Sequence, residues 1–229
     1  MKFYTNVFNE IISLENLFLA WNEFKKDKLK KKDVLEFEWN LEPNILELHR
    51  DLKYHRYKHG VYTSFNICDP KQRKIHKAIV RDRILHHAIF RVLNPLFEPA
   101  FISHSFSCRV KKGTHKGVNS LAYFLNQVSK NSHKTCFALK CDIKKFFDSV
   151  DHETLFELVK RKIKDQDALW LVWKIIYSFN SRERERERVK MSAPACRRDR
   201  EYQSATSPAS FLPTFILMSL IILLNMPYK

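Results

Sequence analysis

Glycine is scarce in this chain of 229 residues, which has three in all: Gly60, Gly113 and Gly117. Phosphate-binding loops of the P-loop and dinucleotide types need several closely spaced glycines, because the backbone must approach the phosphates. The three glycines here do not form such a run. A glycine-rich phosphate loop is therefore excluded.

Paired cysteines and a signal peptide are also missing. None of the five cysteines belongs to a C-x-x-C pair, which argues against a zinc ribbon or a redox dithiol. Asn6, Glu10 and Glu15 interrupt the region where a secretory signal would need an apolar stretch. These absences predict a cytoplasmic protein with reduced thiols.

Acidic residues are too few to balance the basic ones. The net charge is +16, from 41 Lys and Arg against 25 Asp and Glu. Before Ser181 the counts are 32 and 20, so most of the excess, +12, belongs to the main body of the chain. A basic body of this size indicates a polyanionic partner, with nucleic acid first, although surface charge can also serve solubility alone.

Apolar periodicity and turn residues predict a mixed α+β chain. One strand ends at the turn Asp69-Pro70, and one helix is expected to stop at Asn94-Pro95. The predicted helices are Ser13–Lys32, one from Ile45 to near Gly60, Asp82–Leu93, Thr114–Ser129, His152–Lys164 and Ala168–Phe179, and the predicted strands are Tyr62–Cys68 and Thr135–Ile143.

The segment from Phe137 to Asp151 is the most informative part of the sequence. It predicts a strand that runs into Asp142, followed by a turn and a helix. A carboxylate at the end of a strand is rigidly held and can bind Mg²⁺, as nucleotidyl transfer requires. The alternative is that Asp142, Asp148 and Asp151 are ordinary turn and helix-capping residues, and Asp151 fits a cap for the helix that begins at His152.

Several segments resemble bacterial reverse transcriptases of the group II intron and diversity-generating retroelement kind. The sequence D-I-K-K-F-F-D-S-V-D-H from Asp142 is similar to their motif A. F-N-I-C-D-P-K-Q-R-K-I from Phe65 is similar to motif 1, and S-F-S-C-R with K-G-T-H is similar to the motif 2 region. These segments occur in the family's order, and the resemblance extends from about Leu14 to Phe179.

The resemblance implies roles for residues around motif A. Asp142 matches the catalytic aspartate that binds Mg²⁺, and Ile143 matches the position whose backbone carbonyl is a metal ligand. Phe147 matches the aromatic residue beneath the sugar that excludes a 2′-hydroxyl and so selects dNTPs.

Three basic residues match positions that contact the nucleotide. Lys71 and Arg73 match the residues that hold the incoming triphosphate, and Arg109 matches a position near the template and the dNTP. Arg suits this role because its guanidinium can donate two parallel hydrogen bonds. The alternative for all three is a solvated basic face.

The implied fold is a right-hand polymerase with fingers and an incomplete palm. Its implied partners are an RNA template, a DNA or RNA primer, dNTPs, Mg²⁺ and a retroelement accessory protein, with no membrane. The expected divisions are a helical amino-terminal extension at 1–60, fingers at 61–134, the start of the palm at 135–180, and an aberrant tail at 181–229.

The family's later motifs are absent. No G-I-P-x-G-N segment, no Y-x-D-D and no Asp-Asp pair occur in the chain, so the chain is expected to be inactive alone. Read one base back, however, Glu201–Ser219 permits G-I-P-I-G-N-I-T-S-Q-L-F-A-N-I-Y-L-N-E. The Arg-Glu alternation from Arg182 to Arg188 is consistent with a GA repeat prone to slippage, which predicts a frameshift near residue 180.

Two alternatives remain for the whole chain. The first is a non-catalytic nucleic-acid-binding protein built on the fingers. The second is a basic protein with a carboxy-terminal membrane anchor at Phe211–Met226. That segment has 16 residues where about 20 are needed to span a bilayer, and Pro213 interrupts it.

Overall fold

A computed structural model describes residues 3–68, 72–107, 109, 111–142 and 150–178. Eight α-helices and one two-stranded sheet occur in these ranges, which is compatible with the α+β class. In chain order the elements are α1 Val7–Ile12, α2 Leu14–Phe24, α3 Lys32–Trp39, α4 Leu41–Lys53, β1 Thr63–Cys68, β2 Gln72–Lys77, α5 Val80–Phe97, α6 Thr114–Ser129, α7 His152–Lys160 and α8 Gln166–Ser178. Residues 181–229, which were predicted to form an aberrant tail, lie outside the described residues.

The core is built around α5, against which α1, α2, α3 and α4 pack. In α2, Leu17, Ala20, Trp21 and Phe24 are buried at the spacing of one helix face. The Ser13 side chain caps this helix by accepting a hydrogen bond from the Asn16 backbone N–H at 3.2 Å. Burial of this apolar face, rather than helix propensity, supplies most of the stability of such a helix.

The amino-terminal segment is joined to the connection between α7 and α8. The Tyr4 backbone N–H donates to the Lys162 carbonyl at 3.0 Å, and the Lys164 N–H donates to the Tyr4 carbonyl at 3.0 Å. The Asp165 carboxylate accepts from the Phe8 N–H at 2.8 Å and from the Ala168 N–H at 3.1 Å. Asp165 therefore caps α8 and holds α1 against it.

The strands β1 and β2 form an antiparallel hairpin. Thr63 pairs with Lys77 at its open end and Cys68 pairs with Gln72 near the turn. The strand predicted at Tyr62–Cys68 is confirmed with its start one residue later. Cys68 is disulfide-bonded, so the prediction of reduced thiols is wrong at this position, whereas Cys136 and Cys141 are free.

The strand predicted at Thr135–Ile143 is wrong over the residues that the structure describes. Residues 135–142 form neither strand nor helix, and Phe137 and Leu139 are 94% and 90% exposed. A strand needs a neighbour to satisfy its backbone groups. None of the described segments pairs with this one, so Phe137 and Leu139 stay exposed to solvent.

Several helix boundaries also differ from the prediction. α4 begins at Leu41 and ends at Lys53 rather than near Gly60, and α7 ends at Lys160 rather than Lys164. The helix predicted at Ser13–Lys32 corresponds to α2, which ends at Phe24. It stops early because Asp27 adopts a left-handed backbone conformation (φ 60°) that turns the chain. α5 continues past Pro95 to Phe97, since Phe97 is buried in the core and its burial offsets the cost of proline. None of the helices in the described ranges combines the length and apolar character needed to cross a membrane.

Candidate nucleic-acid interface

The β1–β2 hairpin carries the basic residues that the sequence assigned to the nucleotide. Arg73 lies in β2 opposite Ile67 of β1, and its side chain is outside the described part of the structure. Lys71 falls between the two strands in the sequence and lies outside the described residues. The hairpin thus places Arg73 on a strand, and the roles of Lys71 and Arg73 stay predictions.

A buried carboxylate fixes the base of this hairpin. Asp82 of α5 is fully buried and accepts hydrogen bonds from the Tyr57 hydroxyl at 2.9 Å and from the Gly60 N–H at 2.7 Å. The imidazole Nδ1 of His59 lies 3.4 Å from the same carboxylate. Burial, together with the charge of Asp82 and its hydrogen bond, raises the pKa of Tyr57 well above its usual value, so the hydroxyl remains a donor.

Gly60 lies close to the start of α5. A Cβ built there would lie 2.6 Å from the Ile79 Cδ1 atom and 3.1 Å from the Asp82 carboxylate. A side chain at position 60 would therefore require the Ile79 side chain, which is 43% exposed, to move. The hydrogen bond from the Gly60 N–H to Asp82 positions the loop that leads into β1.

An aromatic stack extends the same contact to the end of α8. The His59 ring stacks on Tyr62 at 4.8 Å and on His86 at 5.4 Å between centroids. The Tyr62 hydroxyl lies 3.1 Å from the Ser178 hydroxyl. His86 is completely buried, and this burial, reinforced by the neighbouring His59, lowers the pKa of His86 well below its usual value.

A cluster of cations lies where β2, α5 and the α2–α3 connection meet. The Asp33 Oδ2 atom accepts from the Lys77 ammonium at 2.7 Å and from the Arg83 guanidinium at 2.5 Å. Burial alone would raise the pKa of Asp33, but the hydrogen bond from Lys77 and the charge of Arg83 outweigh burial and lower it. Burial and the charges of Arg83 and Lys31 lower the pKa of Lys28 to about 8.

Arg109 is engaged within its own loop. Its guanidinium donates to Glu98 at 2.8 Å and to the carbonyls of Ile102 at 2.8 Å and Ser105 at 3.1 Å. It also lies 5.0 Å from the Phe101 ring centroid. In this structure Arg109 therefore organises the loop before α6, and a nucleotide contact would require it to exchange some of these partners.

Asp142 is exposed at the end of an irregular segment, whereas Ile143 and Phe147 lie outside the described residues. Asp151 caps α7 by accepting from the Thr154 N–H at 2.8 Å, which confirms the capping interpretation for that aspartate. No group of three or more potential metal ligands occurs in the described ranges. The described residues alone therefore do not complete a Mg²⁺ site around Asp142.

Known proteins are similar in sequence to less than half of this chain. No protein-family profile matches the chain. Group II intron-encoded protein LtrA of Lactococcus lactis is 28% identical over 108 residues, which is 46% of this chain and 16% of LtrA. Nuclear intron maturase 1 of Arabidopsis thaliana is 24% identical over 94 residues, and protein YkfC of Escherichia coli is 26% identical over 106 residues.

Part of this chain is related to group II intron-encoded proteins. The relation supports a reverse-transcriptase-related family at low identity and over less than half of the chain. The matched region spans 27% of the length of YkfC and 16% of the length of LtrA. The chain therefore covers only about a quarter or less of these relatives.

The buried contacts at the hairpin base were not predicted as a site from the sequence. Their signal is a charged residue, Asp82, among the buried apolar positions Leu85 and Ile89 of the same helix. A carboxylate on the buried face of a helix needs hydrogen-bond donors. Those donors, Tyr57 and Gly60, precede it by 25 and 22 residues, and only the fold brings them together.

Proposed function

We propose that this chain forms the amino-terminal part of a polymerase of the reverse-transcriptase type, acting in RNA-directed DNA synthesis. The observation that carries the proposal is the relation of over two fifths of the chain to proteins named as intron-encoded or as an intron maturase. The proposed divisions are a helical extension at 1–60, fingers at 61–134 and the beginning of a right-hand palm at 135–180. RNA template, primer and dNTPs are the proposed partners.

Within this proposal, the fingers hairpin presents Lys71 and Arg73 to the triphosphate, and Arg109 lies near the template. Asp142 and the carbonyl of Ile143 would hold Mg²⁺, which supplies charge stabilisation for nucleotidyl transfer when bound. Phe147 would exclude ribonucleotides. The base of the hairpin, held by Asp82, would fix where the basic strand residues point.

A second candidate function is nucleic-acid binding without catalysis by this chain alone. The observation that favours it is the irregular, exposed segment before Asp142, because a metal-binding carboxylate must be rigidly held. The basic charge of the body serves binding in either case.

Two assays on the full chain test these functions. Fluorescence anisotropy with a labelled, primed RNA should show affinity that falls linearly with salt on logarithmic axes, because phosphate contacts release counterions. Primer extension with dNTPs and Mg²⁺ should show no product above background. Absence of binding at low salt would contradict both functions.

Robust extension would instead contradict the expectation that this chain is inactive alone. Asp142→Asn is the control, because it removes the anionic ligand that Mg²⁺ prefers and should abolish true polymerase activity. Extension that survives this substitution would point to a contaminating polymerase.

A further inference from the structure

Two buried cations lie against one aromatic ring. The Lys28 ammonium is 4.8 Å and the Arg83 guanidinium carbon 4.9 Å from the centroid of the Phe24 ring. Both residues are 5% exposed. Two positive side chains at this depth repel each other, and a nearby anion is needed to stabilise them.

Asp33 supplies one anion but accepts only one of the two parallel hydrogen bonds that the Arg83 guanidinium can donate. The Nε and Nη2 atoms form the edge of a guanidinium that can donate two parallel hydrogen bonds. Nη2 donates to the Asp33 Oδ2 atom at 2.5 Å, whereas the buried Nε has no hydrogen-bond partner. The same Oδ2 atom also accepts from Lys77 at 2.7 Å.

The cluster has more positive than negative charge. Lys31 lies close enough to Lys77 and Arg83 for their charges, after burial, to lower its pKa. Lys77 and Arg83 contact Asp33, and the charge of Asp33 also acts on Lys31. The Lys28 ammonium instead donates to the Phe24 carbonyl at 2.8 Å, beside Arg83, with Asp27 as a weaker negative influence. The Asp33 side chain is 35% exposed and Lys77 is 26% exposed, so solvent reaches the place where Asp33 sits.

We propose that Lys31, Lys77 and Arg83, together called the Arg83 cluster, form a binding site for a phosphate group, which takes the position of the Asp33 carboxylate. A phosphate carries oxygens enough to accept from both Nε and Nη2 of Arg83 and from a lysine at the same time. Asp33 is then an internal anion that occupies the site when no ligand is bound. No separate cavity is needed, because the carboxylate moves outward as the phosphate enters.

The phosphate can belong to a nucleic-acid strand or be free in solution. The nucleic-acid source rests on the proposed function, whereas binding of free phosphate does not. The cluster joins β2 of the hairpin to the start of α3 through Lys77 and Asp33. A strand phosphate bound there would therefore connect the hairpin to the amino-terminal helices.

Thermal unfolding with inorganic phosphate tests the site without RNA. Ionic strength is held constant with chloride, and phosphate should raise the Tm of the full chain because it binds the folded state. Lys31→Gln should reduce this rise, while Lys30→Gln, an exposed neighbour with the same charge change, should leave it intact. Asp33→Asn should increase the rise, because the competing carboxylate charge is gone.

Arg83→Lys separates charge from geometry. It keeps the positive charge but cannot donate two parallel hydrogen bonds, so the phosphate-dependent rise should be lost even if the variant is somewhat less stable. If Lys31→Gln and Lys30→Gln respond to phosphate alike, and Asp33→Asn adds nothing, the site is overturned.

Anisotropy with a single-stranded RNA distinguishes the two sources. If the ligand is a strand phosphate, Lys31→Gln should weaken binding about fivefold and Lys30→Gln less than about twofold. Equal RNA affinities combined with unequal phosphate responses would assign the site to free phosphate. RNA binding by both variants with no phosphate discrimination would overturn the site and leave the proposed function standing.

Discussion

The Asp82 carboxylate has no contact with solvent, and its hydrogen bonds come from one loop of the preceding chain. A buried charge of this kind is stable only while its donors remain. Because those donors flank the entry to β1, the placement of the hairpin depends on Asp82. This makes a structural residue, rather than a catalytic one, decisive for the proposed interface.

Asp82→Asn should lower the free energy of unfolding by about 3 kcal/mol, since the amide cannot accept both hydrogen bonds as a carboxylate does. Tyr57→Phe should cost about 2 kcal/mol by removing a donor to a charged acceptor. Urea denaturation measures both. Tyr54→Phe is the matched control, because Tyr54 is 61% exposed and should change stability little.

A double-mutant cycle checks that the two residues act together. Tyr57→Phe in the Asp82→Asn background should cost clearly less than in the original chain. Strict additivity would show that the hydrogen bond is not the source of the effect.

His87 predicts a pH dependence of stability. Burial, with the charges of Lys28 and Arg83, lowers the pKa of His87 to about 3 from a usual value of 6.5. Between these values the unfolded chain binds a proton that the folded chain does not, so stability falls as pH decreases below about 6.5. At pH 5 the loss from His87 is about 2 kcal/mol.

Replacing His87 with Asn should make the decrease in stability between pH 7 and pH 5 shallower. The remaining slope includes His86 and His152, whose pKa values are also lowered by burial. His133→Asn is the control because His133 is exposed. Denaturation midpoints measured at several pH values would contradict the prediction if both variants show the same slope.

At the scale of elements, α6 is a helix without a buried apolar face. Ser129 is its one buried residue, while Val118, Leu121 and Val128 are more than half exposed. The helix contacts the preceding loop through Phe124, which lies 5.0 Å from the His104 ring. Apolar residues in such an arrangement promote self-association.

Leu121→Gln combined with Val128→Gln should change the free energy of unfolding by less than about 0.5 kcal/mol per site, because neither side chain loses buried contacts. The substitutions should reduce self-association measured by light scattering. Leu48→Gln in α4 is the contrast, since Leu48 is fully buried and its replacement should unfold the protein. Unchanged scattering would mean that α6 does not drive association.

Some helices and strands can be predicted from local sequence and others cannot. The bounds of α6 agree with the prediction of Thr114–Ser129, because its caps and spacing are local. Local signals failed at Pro95, where burial of Phe97 prevails, and at residues 135–142, where a strand needs a partner. The helix α3 was missed, because its apolar spacing is weak and Val34 is its one buried residue.

Among the site residues, sequence identified positions but not their contacts. The Asp151 cap was predictable, since its partner Thr154 is three residues away. The hydrogen bonds of Arg109 to Glu98 and of Asp82 to Tyr57 depend on chain reversals that spacing does not encode. The predicted roles of Asp142, Ile143 and Phe147 stay predictions.

At the scale of the whole molecule, correction of the reading frame should produce an active enzyme. The DNA read one base back after about codon 180 should encode a Y-x-D-D segment downstream. The repaired protein should extend a primer on RNA, and Asp142→Asn should abolish that activity. Phe147→Ala should begin to admit ribonucleotides, measured by extension with rNTPs.

Sequencing the downstream DNA is the first check of this prediction. Stop codons in the corrected frame before any Asp-Asp pair would contradict it. An intact corrected frame whose product binds primed RNA but does not extend it would favour the non-catalytic alternative.

The link between Phe8 and Asp165 has a consequence for synthesis on the ribosome. The two residues are 157 positions apart, so the nascent chain must grow for roughly 10 to 30 s before they can meet. Throughout that interval Phe8 lacks its contact with Trp170, and the pairing of Tyr4 with Lys162 cannot form. The segment around Phe8 therefore leaves the ribosome well before the residues that hold it in place, and a pause in translation before codon 165 would lengthen its exposure to chaperones and proteases.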